Sequence, residues 1–327
     1  LNILNKFIKS DKYENIYLLD ERLKLNVNKK NIIIVKNNLA SRVINLISLS
    51  YKLKKDDHII FLNGLPPIFK FNCEVSVIFQ NANLFRKFYK IPFFKWLFSR
   101  DFLRFLIFFF GKKNVNNWYV FSPISKKILH NNIKKYVSIK TLNIYDEYNN
   151  EVDTSNISEV EYDFIYPASF MGHKNHKMLF NILIKLSKKN IFPRVIFTLD
   201  PTSIKKVNFD NLKEKYNLKI FNYFEKDHDM FLKIYKKCNS LLYMSLSETI
   251  GLPIIEANKY GLFIIAPKLE YSYQFIQPDA QFDINSESEL TSIIEECLKT
   301  NFKNKKKKIF KIPSSSISFD DFVKKII

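Results

Sequence analysis

Cysteine is scarce: Cys73, Cys238 and Cys297 are scattered, odd in number and form no CxxC pair. That arithmetic argues against a disulfide scaffold and a cysteine-zinc site, and makes a reducing cytosolic compartment the default. No run of about 18 uncharged apolar residues occurs, which argues against a spanning helix, and no signal-peptide pattern is visible. Glycine is rarer still for the length, with 5 in 327 residues. Acid is short as well: 32 Asp and Glu stand against 52 Lys and Arg, a net charge of +20. Such a balance suits an anionic partner: a nucleic acid, an acidic lipid surface or a phosphorylated substrate. An A+T-rich genome that writes Lys and Asn freely accounts for part of it.

Apolar strands alternating with amphipathic helices fill most of the chain. With 46% hydrophobic residues, its length suffices for more than one core. In the first half the strands are read at 15–20, 31–36, 58–63, 75–80 and 118–122, with helices such as 39–55 and 124–132. Strands apolar throughout and separated by helices mark a parallel sheet covered on both faces. The segment 146–161, "DEYNNEVDTSNISEVE", is acidic, polar and aperiodic, and reads as an interdomain linker. Alternation then restarts, with strands at 163–169, 194–199, 218–224, 240–245, 262–267 and 280–284. Helices are read at 175–189, 227–237, 253–260 and 286–300, the last opened by a capping-box pair, Ser286 and Glu289. Two tandem Rossmann-like α/β domains follow, at 1–150 and 161–310, with a ligand cleft expected between them at the strand C-termini. The terminal segment 311–327 is expected to form a helix packing back on the first domain. Because "LNILNKFIK" reads as helix, a first strand and a Gly-rich phosphate-side loop are expected to precede Leu1.

Three local features carry functional information. The stretch 93–113, "FFKWLFSRDFLRFLIFFFGKK", is strongly aromatic, and from Arg86 to Lys113 eight basic residues stand against the single acid Asp101. Basic side chains that snorkel beside Phe and Trp suit contact with an anionic membrane surface through 86–113. A second basic run, "KNKKKK" at 303–308, reads as a solvated segment and a further membrane contact. Residues 240–267 run strand, loop, helix, strand around "SETIGLPIIEANKYG". Pro253 suits a first helical turn, and Gly251 lets the backbone turn tightly. The helix start offers unpaired N–H groups and a positive dipole end to a diphosphate. Glu248 before that start and Glu256 within the helix are acceptors for vicinal hydroxyls. His173 and His176 in "HKNH" lack a Cys or acidic third ligand, so no metal site is assigned.

Ser247-Glu248-x-x-Gly251-Leu252-Pro253-x-x-Glu256-Ala257-x-x-x-Gly261, with "FIYPASFMGHKNHKMLF" (164–180) upstream, resembles the E-x7-E motif of family-4 retaining glycosyltransferases of GT-B fold. The likeness spans the C-terminal half. "FLNGLPP" (61–67) and "VIFQN" (77–81) resemble members acting on bacterial surface polysaccharides such as O-antigen, capsule and lipopolysaccharide. The resemblance implies that Glu256 binds the nucleotide ribose, that Glu248 approaches the donor sugar and that Lys174 neutralises the diphosphate leaving group. It also implies that backbone amides around Thr249, Ile250, Gly251 and Leu252 meet sugar and diphosphate. Where the family usually carries arginine, five residues before the lysine, this chain has Ser169; either His173 or a lysine elsewhere supplies the charge beside the diphosphate, or phosphate binding is weaker. Asn81, at a strand end, is the candidate for contact near the reacting sugar.

The expected activity is that of a retaining, metal-independent hexosyl- or N-acetylhexosaminyl-transferase with a UDP- or GDP-linked donor and no further cofactor. Its acceptor would be a lipid-linked glycan, at the inner face of the cytoplasmic membrane. Two other classes fit less of the chain. A nucleic-acid binder suits the charge but lacks any RNP-like, KH or helix-turn-helix signature; a GT-B pseudoenzyme serving as membrane scaffold would fit Ser169.

Overall fold

The computed structural model describes residues 17–20, 32–36, 39–62, 64–80, 83–86, 98–133, 137–143, 160–302, 310–311, 313, 316–318 and 321–323. The candidate Asn81, the helix read at 1–9, the basic run 303–308, most of the linker read at 146–161 and 87–97 of the aromatic segment lie outside them. The chain divides into two compact units. One comprises Leu1–Phe121, Ser125–Ile144 and Ser315–Ile327; the other Ser122–Ile124 and Tyr145–Ser314.

The first unit contains β1 (Tyr17–Asp20), β2 (Ile32–Val35), α1 (Leu39–Lys52), β3 (His58–Phe61), β4 (Glu74–Phe79) and α2 (Asn83–Arg86). It continues with α3 (Arg100–Gly111), β5 (Asn117–Val120), α4 (Pro123–Asn132, its first residues counted with the other unit), β6 (Ser138–Asn143) and, from the chain's end, β13 (Ser316–Ser318). β1 and β2 pair in parallel as a small sheet of their own, while β13-β6-β5-β4-β3 form a five-stranded parallel sheet. Phe79, Phe108 and Trp118 pack ring against ring in its core. Two strands here carry no signal in the sequence. "SIKTLN" buries only its last three residues and shows no apolar alternation. "SIS" becomes a strand only because β6 offers an edge, and the terminal segment thus returns as strand, then a helical turn at 321–323 whose Phe322 packs on Tyr119.

The second unit runs β7 (Tyr162–Tyr166), α5 (His176–Ser187), β8 (Val195–Phe197), α6 (Pro201–Val207), α7 (Phe209–Lys215), β9 (Ile220–Asn222) and α8 (His228–Leu232). After these come β10 (Cys238–Leu242), α9 (Leu252–Lys259), β11 (Phe263–Pro267), α10 (Glu270–Tyr273), β12 (Ala280–Phe282) and α11 (Glu287–Thr300). The six strands form one parallel sheet in the order β12-β11-β10-β7-β8-β9. This is the Rossmann order: the first half builds outward from β7 in one direction, the second from β10 in the other. Phe164, Tyr166, Phe197, Leu242, Ile265 and Phe282 are fully buried in its core.

Scarce glycine is compensated by asparagine. Asn175, Asn190, Asn208, Asn217 and Asn301 all take positive φ, between 48° and 59°. A short amide side chain tolerates this left-handed region better than other non-glycine residues do. Asn301 ends α11 in this way, and the Phe302 N–H reaches back to the Cys297 carbonyl at 3.1 Å, the Schellman pattern. At the other end of α11, Ser286 caps the Glu289 N–H at 3.2 Å. The Glu289 carboxylate reaches past the N-cap to the Asp283 N–H at 2.6 Å, so the expected capping box forms only by half.

Candidate active site

In a sheet of this order the loops leaving its two central strands diverge to opposite faces and open a crevice at the carboxyl ends. Here those strands are β7 and β10, paired Ser240 to Phe164 and Leu241 to Ile165. Lys174 follows the first and Glu248 the second. A backbone bond from the Leu246 N–H to the His173 carbonyl, 2.7 Å, laces the two loops together.

The loop after β7 passes exposed Ser169, turns through a Met171 N–H to Ser169 carbonyl bond of 2.9 Å, and tightens into a 3₁₀ turn at Gly172–Lys174. Asn175 at φ 59° then redirects the chain into α5. The Tyr166 hydroxyl donates to the Lys174 carbonyl and so ties the turn to the strand it left. His176 opens α5 buried at 3% exposure, edge-on to Tyr166 and Phe170. Burial pushes its imidazole down to about 4, and the neighbouring Lys174 cation adds to the shift. At neutral pH it is therefore an uncharged ring among aromatic rings. Among the described residues no group of three or more His, Cys, Asp or Glu is placed to hold a metal ion.

Across the crevice, Lys174 Nζ forms an ion pair with Glu248 Oε1 and lies 5.8 Å from the centre of the Tyr243 ring. The two charged side chains are 14% and 18% exposed, reachable by a ligand yet shielded enough for their charges to matter. Tyr243 beneath them is fully buried; its phenol is pushed well up by burial and next by the Glu248 carboxylate, so it stays neutral. Past Glu248 the chain runs through Thr249 and Ile250 to Gly251. Gly251, at φ 78°, caps α9, and Pro253 takes its second position, where no intrahelical N–H is required.

Glu256 occupies different ground. It lies on α9 at 3% exposure, and its Oε2 accepts the Tyr235 hydroxyl at 2.8 Å. His228 Nε2 stands 3.5 Å from Oε1 and is itself 46% exposed. Burial raises the carboxyl's proton affinity, opposed by the Tyr235 hydrogen bond and then by His228. Tyr235 is held in turn by Tyr260, stacked on it at 5.7 Å.

Thus Lys174, His173 and Glu248 come together, with Thr249, Ile250, Gly251 and Leu252 forming the loop and helix start beside Glu248. Ser169 lies five residues upstream on the exposed loop, and Glu256 is set below the surface of α9. Sequence reasoning missed Tyr235, Tyr243, His228 and Gln274. Tyr235 sits in an unremarkable "KIYKK", 21 residues before its partner, and no local pattern marks it. Gln274 donates through Nε2 to the Thr249 carbonyl at 3.1 Å and the Ile250 carbonyl at 3.0 Å. Ser122 of the same unit also donates to the Thr249 carbonyl, at 2.7 Å.

No family model matches the chain, and no curated protein matches it in sequence. Solved structures do. The sucrose-phosphate synthase of Thermosynechococcus elongatus superposes with a TM-score of 0.66 at 14% identity, over 90% of this chain and 82% of that one. WaaG, a glycosyltransferase involved in lipopolysaccharide biosynthesis, gives 0.61 at 13% identity, over 92% and 85%. Anabaena HepE, solved in complex with UDP and glucose, gives 0.59 at 13% identity, over 83% and 77%. The fold is therefore the GT-B glycosyltransferase fold, mixed α/β with parallel sheets in two Rossmann-like domains.

Proposed function

We propose that this protein is a retaining, metal-independent glycosyltransferase that moves a hexosyl or N-acetylhexosaminyl group from a UDP- or GDP-linked donor to a glycan hydroxyl. The observation that carries the reading is the meeting of Lys174 and Glu248 beside the start of α9, at the topological switch point of a Rossmann sheet. A diphosphate arriving there finds a cation and a helix N-terminus together. As the anomeric C–O bond breaks, negative charge grows on the departing diphosphate, and a fixed cation lowers the barrier. With Ser169 where relatives carry arginine, Lys174 supplies that charge alongside His173 and the amides of Thr249, Ile250, Gly251 and Leu252.

Once Lys174 turns to the phosphates, Glu248 is released to accept sugar hydroxyls. Glu256 receives the ribose through Oε1, since Tyr235 already occupies Oε2. Attack comes from the face the leaving group departs. The acceptor oxygen bonds to the anomeric carbon while its proton passes to a diphosphate oxygen, so no separate base is required. Asn81 is assigned to the neighbourhood of the reacting sugar by resemblance alone.

The acceptor in this reading is lipid-linked, as in surface-polysaccharide synthesis, and the enzyme works peripherally at the inner face of the cytoplasmic membrane. In support, Phe98, Leu103, Phe109 and Phe110 are exposed beside Arg100, Arg104 and Lys113. No helix among the described residues is long and apolar enough to cross a membrane. HepE's complex with UDP-glucose and WaaG's part in lipopolysaccharide synthesis accord with the donor and acceptor classes.

A thermal-shift panel of UDP, GDP and ADP sugars tests the reading. The matching donor at a hundredfold excess over its Kd stabilises the fold by about 2.7 kcal/mol. The shift should shrink in Lys174→Ala and in Glu256→Ala. A chain that responds to no nucleotide sugar does not carry this function. Co-sedimentation with phosphatidylglycerol vesicles, lost in Phe109→Ser/Phe110→Ser, tests the membrane contact.

A further inference from the structure

Gln274 follows α10, more than twenty residues from the loop it touches, and its side-chain amide reaches two successive carbonyls of that loop. Carbonyls only accept, so the NH₂ group must face them, whichever way the amide is drawn. Its Oε1 is buried and finds no partner among the described residues. The hydrogen bonding of this side chain is therefore spent on the Thr249 and Ile250 carbonyls.

Peptide planarity gives this a consequence. The Thr249 carbonyl shares a rigid trans plane with the Ile250 N–H, and the Ile250 carbonyl shares one with the Gly251 N–H. Fixing the two carbonyls fixes the two N–H groups, each directed away from Gln274. Glycine follows at φ 78°, where the backbone would otherwise have the widest choice of conformations. An anion-binding pair of amides that were free to rotate would have to be ordered by the ligand, at a cost in affinity.

We propose that Gln274 is a positioning residue: it presets the Ile250 and Gly251 amides for the diphosphate of a nucleotide donor. This rests on the glycosyltransferase reading above, and the test separates the two. UDP, GDP and ADP are titrated calorimetrically into the full chain, and the diphosphate that binds is compared with its monophosphate in wild type, Gln274→Met and Gln274→Glu. Methionine keeps the length without the hydrogen bonds; glutamate turns an acceptor toward two acceptors. Both variants should bind the diphosphate about tenfold more weakly, the loss expected for two modest hydrogen bonds. Monophosphate affinity should change less than about twofold. A residue that merely stabilised the fold would weaken both alike.

Equal losses for the two nucleotides, or no loss, overturn the role of Gln274 while leaving the glycosyltransferase reading standing. Binding of no nucleoside diphosphate by wild type removes both. Should a variant not fold, the wild-type chain decides. With isoleucine and glycine labelled by ¹⁵N, the binding diphosphate should move the Ile250 and Gly251 amide resonances. Unmoved resonances there would overturn the proposal.

Discussion

Two carboxylates eight residues apart occupy electrically opposite surroundings. Glu248, in the loop after β10, is partly exposed and compensated by the Lys174 cation. Glu256, just past the first turn of α9, is nearly sealed and compensated by a neutral phenol, with His228 more distant. The first is held by charge, which an incoming diphosphate can take over. The second is held by burial and a hydrogen bond, which no ligand needs to break. In the proposed function the exposed lip can exchange partners with an incoming diphosphate, while the buried carboxylate beneath α9's surface, its floor, keeps its own.

The largest effect should come from removing the lip's cation. In the proposed reaction, Lys174→Ala leaves the departing diphosphate without its counter-ion and should lower donor turnover two to three orders of magnitude, measured as kcat at saturating nucleotide sugar. Its melting temperature should fall too, because the pair is largely shielded and the variant leaves the Glu248 carboxylate without its counter-ion.

Next is His176, packed behind Lys174. Its folded pKa of about 4 lies below the ordinary 6.5, so the unfolded chain binds the proton more readily. The resulting stability is whole above pH 6.5 and lost as pH falls toward 4, about 3 kcal/mol in all. In His176→Phe, urea unfolding measured across that window should lack this slope.

The floor is tested by truncation. Glu256→Ala leaves the buried Tyr235 hydroxyl without its acceptor and should cost about 2 kcal/mol in urea unfolding. The same truncation of Glu248 should cost less, because the Lys174 ammonium on its flexible stem can turn toward solvent. Equal costs would erase the contrast between the two sites.

The smallest effect has the opposite sign. Burial raises the Glu256 pKa above its ordinary 4.5, so the native carboxyl holds its proton more tightly than the unfolded one. Stability present below pH 4.5 is therefore lost as pH rises through the raised value. Glu256→Gln keeps an acceptor for Tyr235 without that penalty. It should be more stable than wild type at pH 7, with the gap closing toward pH 4.5. Donor affinity should fall in the same variant.

The second unit is more legible in the sequence than the first, for a physical reason. Each of its six strands overlaps a segment read as strand from the sequence, most clearly the apolar runs of β8 and β11. In the first unit, β6 buries half its length and β13 is three residues of Ser-Ile-Ser, so neither carries a pattern. The motif around Glu248 and Glu256 is legible because strand, turn glycine, helix-start proline and acids are contiguous. The paired helices α6 and α7 between β8 and β9 escape such a reading; an Asp200 cap and an Asn208 in the left-handed region divide them.

The local chain by itself determined a tight turn at Gly251, a helix opening at Pro253, one residue after its actual start, and two acids at a spacing that brackets the helix start. These depend on φ, on the missing N–H of proline and on residues within one turn of each other. Only the tertiary structure decided that Glu248 meets Lys174, 74 residues away, and that Glu256 is sealed under Tyr235. The first follows from β10 pairing beside β7, the second from α8 and the turn after it covering α9. Such neighbours are chosen by strand order and packing, and those are properties of the whole sheet.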